Sequence, residues 1–393
     1  MNLRIVILRH IFIISIAILY LSCTHININE ISFLKINQAK IYALSQLEKC
    51  LIEIPAEQYP IRTLGEGPWK LTEPSQWTSG FYPGCLWLAY QLSNDSSWIE
   101  PAQKYTEGLT EQQYNTSTHD IGFMMFNSFG NGYKCNQNNN YKNIIIQSAR
   151  SLATRYNEKT KCIQSWNGDF QVIIDNMMNL EILFWAAKNG AGNKLYDIAV
   201  THANTTINNH IRKDYSTFHV IVFDTASGEV VQRKTHQGYA DNSTWARGQA
   251  WGVYGFTVCF RETRDSVYLK TAEKMAEHFI NNLSDDLIPY WDFNLPYNYN
   301  KKLKDTSAAS IFLSGLLELR KYVKNSNQYD EIIQNILTSL ITDYLTEGTK
   351  SSGILLHAAY NVNSENKYDW DASTIWGDYY FLEALKRYQE SFN

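Results

Sequence analysis

Two aspartates and one arginine-bearing segment hold the chemistry of this chain. Asp175 opens the run from Ile173 to Asn189, which contains Met177, Met178, Leu180, Ile182, Leu183, Phe184 and Trp185 and is apolar enough to be internal. A carboxyl among such neighbours is poorly solvated, so its pKa rises and it becomes fit to donate a proton near neutral pH. Asn179, one turn on, shares its face. Asp120 has the same setting: His119-Asp120-Ile121-Gly122-Phe123 begins a second apolar helix, and Gly122 permits close approach of another chain or a ligand. Either aspartate alone reads as a helix cap. Two of them, on helices that start at one rim, read as the paired carboxylates used in glycoside hydrolysis.

The third segment, His236–Gly252, has the sequence H-Q-G-Y-A-D-N-S-T-W-A-R-G-Q-A-W-G. Arg247 and Trp251 are four apart and share a helix face, a guanidinium beside an indole suited to a sugar that carries a carboxylate. Gly248, Ala250 and Gly252 pack this helix closely while Arg247 is retained. A buried guanidinium needs an acidic partner, here Asp241 or a substrate carboxylate. Of Trp245 and Trp251, one is expected in the core. Gln237 lies on the approach to the helix. Trp77 in Q-W-T-S-G-F-Y-P-G and Trp291 in P-Y-W-D-F-N sit in Gly- or Pro-bearing loops, as sugar platforms or as a plug over the core. His219 belongs to a hairpin near this segment, while Asp292, Asp305 and Asp378 read as caps or turn residues. There is no Ser/His/Asp order, Gly-rich phosphate loop or His-x-x-x-His pair.

These residues need a scaffold, and periodicity supplies one. Twelve stretches carry apolar positions at helical spacing: 37–53, 81–92, 97–113, 121–133, 142–156, 175–189, 194–211, 244–264, 266–282, 307–323, 328–345 and 373–389. Several that are apolar all round (121–133, 175–189, 244–264) alternate with amphipathic ones (142–156, 194–211, 266–282). A helix apolar on every side is buried and an amphipathic one faces water. The pattern predicts an all-α fold, an (α/α)6 toroid of six helical hairpins. Thr217–Lys234 differs: Phe218, Val220 and Val222 alternate, Asp224–Gly228 turns, and Val230-Val231 returns, predicting a short β-hairpin at the mouth.

The 393 residues show no linker or composition break from 36 onward, so 36–393 is expected to form one domain. The net charge of −4 gives no sign of nucleic-acid binding, for which a basic stripe would be expected. Residues 1–23 combine Arg4 and Arg9, an apolar Ile11–Leu21 and Leu21-Ser22-Cys23, a bacterial lipoprotein-type signal. Export to the periplasm or outer membrane with a lipid anchor at Cys23 is expected, followed by a short linker over 24–35. The remaining cysteines, Cys50, Cys85, Cys135, Cys162 and Cys259, are odd in number and widely spaced, which reads as buried small hydrophobes rather than a disulfide framework.

Taken in order, H-D-I-G-F, I-I-D-N-M-M-N, the His236–Gly252 segment, I-P-Y-W-D-F-N and D-T-S-A-A-S resemble glycoside hydrolase family 88, the unsaturated glucuronyl hydrolases, over about residues 36 to 388. The resemblance implies the α/α toroid, no metal or cofactor, and a monomer. It implies removal of a 4,5-unsaturated uronic acid from the non-reducing end of lyase-generated oligosaccharides, with glycosaminoglycan fragments as first expectation. By motif it makes Asp175 the general acid and base and Asp120 the second carboxylate. It puts Trp77, His219, Gln237, Arg247 and Trp251 in the uronate subsite. Unsaturated rhamnogalacturonyl hydrolases, a conventional inverting glycosidase and a non-catalytic glycan-binding lipoprotein stand as alternatives. The leaving sugar would be read around Gly353–Trp370, where Ser364 and Lys367 lie.

Overall fold

The computed structural model describes residues Phe33–Phe392. Residues 1–23, with Cys23, and most of the expected linker lie outside these. Among the described residues twelve α-helices dominate: α1 (Phe33–Glu53), α2 (Phe81–Ser93), α3 (Ile99–Glu107), α4 (Asn131–Asn136), α5 (Asn139–Ala153), α6 (Glu181–Ala186), α7 (Asn193–His210), α8 (Ala246–Thr263), α9 (Ser266–Asn281), α10 (Thr306–Leu319), α11 (Asp330–Asp343) and α12 (Ile375–Phe392). Helix α1 begins at Phe33, inside the span expected to be linker, because Ile36, Ala39, Ala43 and Leu47 already give it a buried stripe.

Six segments close an inner ring. α2 packs on the wide-turned stretch Gly122–Gly130, which packs on the tight turns of Ile174–Leu180. Those turns pack on α8, then α10, then α12, and α12 returns to α2. The outer helices are α1, α3, α5, α7, α9 and α11. Burial follows the sequence pattern. Every residue of α10 and the run Ala246–Cys259 of α8 are buried, whereas α9 buries only Tyr268, Thr271, Ala272, Met275, Ala276 and Phe279. The expected toroid is present.

The inner ring departs from regular α-helix at the two places where aspartates enter it, Gly122–Gly130 and Ile174–Leu180. Such irregular turns concentrate at functional sites. Around the mouth, β1 (Tyr59–Thr63) pairs with β2 (Trp69–Thr72), and β3 (Tyr156–Asn157) with β4 (Cys162–Ile163). The predicted hairpin is β6 (Val220–Phe223) with β7 (Val230–Lys234), and β6 also pairs with β5 (Gln171–Ile173), a strand the sequence pattern did not reveal. Cys50, Cys85, Cys162 and Cys259 are buried and all five described cysteines are free thiols, as their spacing suggested.

Candidate active site

All six inner segments begin at one rim, so residues at their N-terminal ends converge. Trp77 precedes α2, Asp120 precedes Gly122, Asp175 lies in the first turn after Ile173, Arg247 is second in α8, Asp305 caps α10 and Trp376 is second in α12. Trp77, Asp120, Asp175 and Arg247 line a cleft of about 310 Å³ together with His119, Trp166, Ile173, His236, Gln237, Trp245, Tyr360, Asn361 and Asp369, with Asp305 against Arg247 and Trp376 against Trp77.

Neither aspartate caps its helix. Asp120 Oδ2 accepts from Thr118 Oγ1 at 2.9 Å, and Oδ1 lies 3.2 Å from His119 Nε2. The Asp175 side chain is 14% exposed. Burial pushes its pKa up to about 7, against an opposing pull from Arg247 and with a further push from Asp120. A carboxyl so placed can hold a proton near neutral pH, the property its apolar neighbours led us to expect. Asn179 ties the two aspartate segments together: its Oδ1 accepts the Phe123 N–H at 2.8 Å, and its Nδ2 donates to the Asp175 carbonyl at 3.4 Å. Gly122 allows this, since a Cβ there would meet Asn179 Oδ1 at 2.6 Å and its Cα at 2.7 Å.

His219 reaches the site through the sheet. Ile173 pairs with Val220, and the Ile174 N–H continues the ladder to the His219 carbonyl at 3.1 Å, so His219 is set beside Asp175 with Nε2 3.8 Å from Oδ2. Its ring stacks on Trp245, centroids 4.4 Å apart. His219 sits in the floor behind Trp245 rather than among the lining residues.

Arg247 is 2% exposed, and its partner is neither Asp241 nor a substrate alone. Nη1 donates to Asp305 Oδ2 at 2.6 Å and to the Ala359 carbonyl at 2.7 Å, and Nη2 to the Tyr360 carbonyl at 2.7 Å. Asp241 instead accepts the Thr235 N–H in an exposed turn. The rim brings the N-terminus of the next inner helix, with Asp305, beside that of α8, so Arg247 meets Asp305 first. Gln237 donates to the same Tyr360 carbonyl at 2.6 Å, joining the Arg247 helix, the Gln237 turn and the 353–370 loop at one oxygen.

Of the aromatic candidates, Trp77 lines the cleft and packs on Trp376 with centroids 5.0 Å apart. Trp245 and Trp251 are both buried, but only Trp245 contributes to the cleft wall; Trp251 packs against Phe123 and Tyr380 one helical turn deeper than Arg247. Trp251 therefore underlies the cleft instead of lining it. Trp291 is also buried, with its indole N–H donated to the Lys301 carbonyl, so it is a plug and not a platform. Asp292 anchors the Gln237 turn, accepting from Tyr239 N at 2.9 Å and Ser243 Oγ at 2.6 Å. Asp378 accepts the N–H groups of Ile354 and Leu355 at 2.9 and 3.0 Å, fixing the loop that supplies Tyr360.

Sequence reasoning missed Trp166, Tyr360, Asn361 and Asp369. Trp166 was accessible in principle: S-W-N-G is a loop of the kind that drew attention to Trp77. Asp369 is engaged by the buried Arg62 of β1 and by Ser364 Oγ at 2.7 Å, so Ser364 faces a carboxylate. Nothing in the local sequence joins residues 62 and 369.

The chain matches the family model Glycosyl Hydrolase Family 88 over residues 57–389. It is 46% identical over 321 residues, 80% of each chain, to an unsaturated glucuronyl hydrolase of Formosa agariphila. It is 33% identical over 368 residues to an unsaturated chondroitin disaccharide hydrolase of Streptococcus agalactiae, covering 89% of this chain and 92% of the relative. Among solved structures, an unsaturated glucuronyl hydrolase specific for heparin aligns with a TM-score of 0.87 and 39% identity over 91% of this chain and 98% of that one. A Streptococcus agalactiae enzyme complexed with dGlcA-GalNAc6S aligns with a TM-score of 0.79 and 30% identity, over 93% and 94%.

Proposed function

The chain belongs to glycosyl hydrolase family 88, and from that membership we propose a reaction in which Asp175 acts first as acid and then as base. It is a glycosidase, an unsaturated glucuronyl hydrolase that removes a 4,5-unsaturated uronic acid from the non-reducing end of lyase-generated oligosaccharides. The observation that carries the assignment of Asp175 is its carboxyl, held near neutral pKa by burial on the wall of a cleft flanked by indoles and a guanidinium.

In the substrate, C4=C5 conjugated to the ring oxygen is a vinyl ether. Protonated Asp175 delivers its proton to C4 as the double-bond electrons form the new C–H bond, leaving oxocarbenium character at C5. The Asp175 carboxylate then takes a proton from water as the water oxygen attacks C5. The hemiketal opens to a ketone, and the freed C1 hemiacetal expels the leaving sugar. One carboxyl serves both steps, which its pKa near working pH favours. Asp120, held by the Thr118 hydroxyl beside a His119 ring that burial keeps neutral, assists and binds sugar hydroxyls. Trp77 and Trp245 flank the ring, and Gln237 and Arg247 retain N–H groups for its carboxylate.

Glycosaminoglycan disaccharides are the proposed substrates; the names of the chondroitin and heparin relatives support this. The chain is proposed to be exported and lipid-anchored at Cys23, supported by the Arg4–Cys23 pattern. A monomer is proposed, since one copy supplies every group named above.

Added to an unsaturated disaccharide, the protein is expected to abolish the absorbance of the C=C bond. Unchanged absorbance across chondroitin, hyaluronan and heparin lyase products would end this reading. Comparing sulfated with unsulfated disaccharides by kcat/KM identifies the leaving sugar.

A further inference from the structure

Among the described residues, three buried polar atoms at the Asp175 carboxyl and on the elements packed against it have no hydrogen-bonding partner, Asp175 Oδ2, His219 Nε2 and Trp251 Nε1, as has His119 Nε2 beside Asp120. Unpaired buried polar groups are few and costly, so these require a reason. The tautomer of His219 is fixed by its other nitrogen. Nδ1 faces the backbone N–H groups of His236 at 3.3 Å and Gln237 at 3.2 Å, and the Thr235 hydroxyl at 3.4 Å. A backbone N–H only donates, so Nδ1 accepts and the ring hydrogen sits on Nε2. Burial, then His236 and Arg247, hold the imidazole pKa well below its usual value, so the ring stays neutral. The protonated Nε2 of His219 thus lies 3.8 Å from Asp175 Oδ2, beyond hydrogen-bond length. The Trp251 indole is donor only, and it pulls on the same carboxyl.

We propose that His219 Nε2–H and Trp251 Nε1–H form an anion hole for Asp175, idle while the carboxyl is protonated and closing on Oδ2 once its proton has gone to the substrate. The inference rests on the reading of Asp175 as acid and then base. The proton leaves from Oδ1 to C4, Oδ2 takes the two N–H bonds, and the proton from the attacking water returns to Oδ1. Nothing is consumed. His219 and Trp251 are positioning residues in this scheme, acting through Asp175. The other charged and titratable groups facing the carboxyl are Asp120 and His119 from the segment before Gly122, Arg247 from α8, and His236 and Asp369 across the cleft. Among the described residues none of these donates a hydrogen bond to Oδ2.

The test is a carboxyl carbon NMR titration of Asp175 without substrate, in the wild type and in Trp251→Phe, His219→Phe and His219→Gln. Each Phe substitution deletes one donor to the anion and is expected to raise the midpoint by about half a unit or more. His219→Gln places an amide N–H near the position of Nε2 and is expected to restore the wild-type midpoint. In turnover, the alkaline limb of kcat/KM moves up in the same variants. kcat falls roughly tenfold or more, as for a hydrogen bond to a charged group, while KM changes little. Unmoved midpoints in folded Trp251→Phe and His219→Phe overturn the proposal, as does a shift in only one, or a rise in KM with the limb fixed. If one variant fails to fold by near-ultraviolet circular dichroism, the other decides. A wild type that leaves the C=C bond intact refutes the functional reading, while the titration still judges the donors.

Discussion

Asp175 owes its acid character to its place in the fold. Desolvation by the inner ring lifts its pKa to about 7, and the nearby guanidinium of Arg247 is too committed elsewhere to bring it back down. Asp175→Asn keeps the shape and removes the proton. Turnover is expected to fall by about a thousandfold or more while disaccharide binding persists, checked by single-turnover kinetics and calorimetry. Retained turnover would remove Asp175 from its role. In the proposed reaction the acid form starts turnover, so kcat/KM of the wild type is expected to decline as pH rises through about 7. Arg247 illustrates a different residue-scale dependence. It and Asp305, 2% and 0% exposed, form a buried pair. Asp305→Asn leaves the guanidinium without its carboxylate and is expected to cost about 3–5 kcal/mol, read from urea unfolding. A loss below about 1 kcal/mol would show that the Ala359 and Tyr360 carbonyls hold Arg247 unaided.

The elements set the separation of the two carboxylates. Gly122–Gly130 and Ile174–Leu180 touch where Asn179 meets the backbone at Gly122 and Phe123, with no space for a methyl group. Gly122→Ala is expected to spread the two segments, reducing kcat at least tenfold and stability by about 1–3 kcal/mol, the range for overpacking. A variant with wild-type kcat and melting temperature would show that the contact is soft. The helices were legible because their apolar spacing is local, and most observed ends fall within a few residues of the pattern. Strand β5 was not. Three residues, Gln171–Ile173, carry no periodicity of their own, and only pairing with β6 makes them a strand and puts His219 beside Asp175.

At the scale of the molecule, the rim collects buried carboxyls. Asp175 and Asp378 are both raised to about 7 by burial, from about 3.9 in an unfolded chain. Their folded pKa values exceed the unfolded ones, so the stability they contribute is complete below about 4 and is lost as pH rises through about 7. Buried His202 and His210, held down to about 3 and about 4, act in the opposite sense below about 6.5. The comparison therefore belongs between proteins. From pH 5 to pH 8, the wild type is expected to lose on the order of 2 kcal/mol relative to Asp378→Asn in urea unfolding. Parallel pH curves would show that Asp378 is not protonated in the fold.

Residue order alone carries the alternation of inner and outer helices, the two aspartates at the starts of apolar segments, and the pocket character of His236–Gly252. Each of these is written in spacing and residue type over a few turns. The tertiary structure decided which partner Arg247 takes, that Trp251 and Trp291 are core while Trp245 and Trp166 are wall, and that Asp369 and Tyr360 belong to the cleft. These depend on ring closure, which sets the ends of distant helices side by side: Arg62 meets Asp369, and Arg247 meets Asp305. Local pattern tells a helix which face to bury, but the rim that six helices share exists only once the ring has closed.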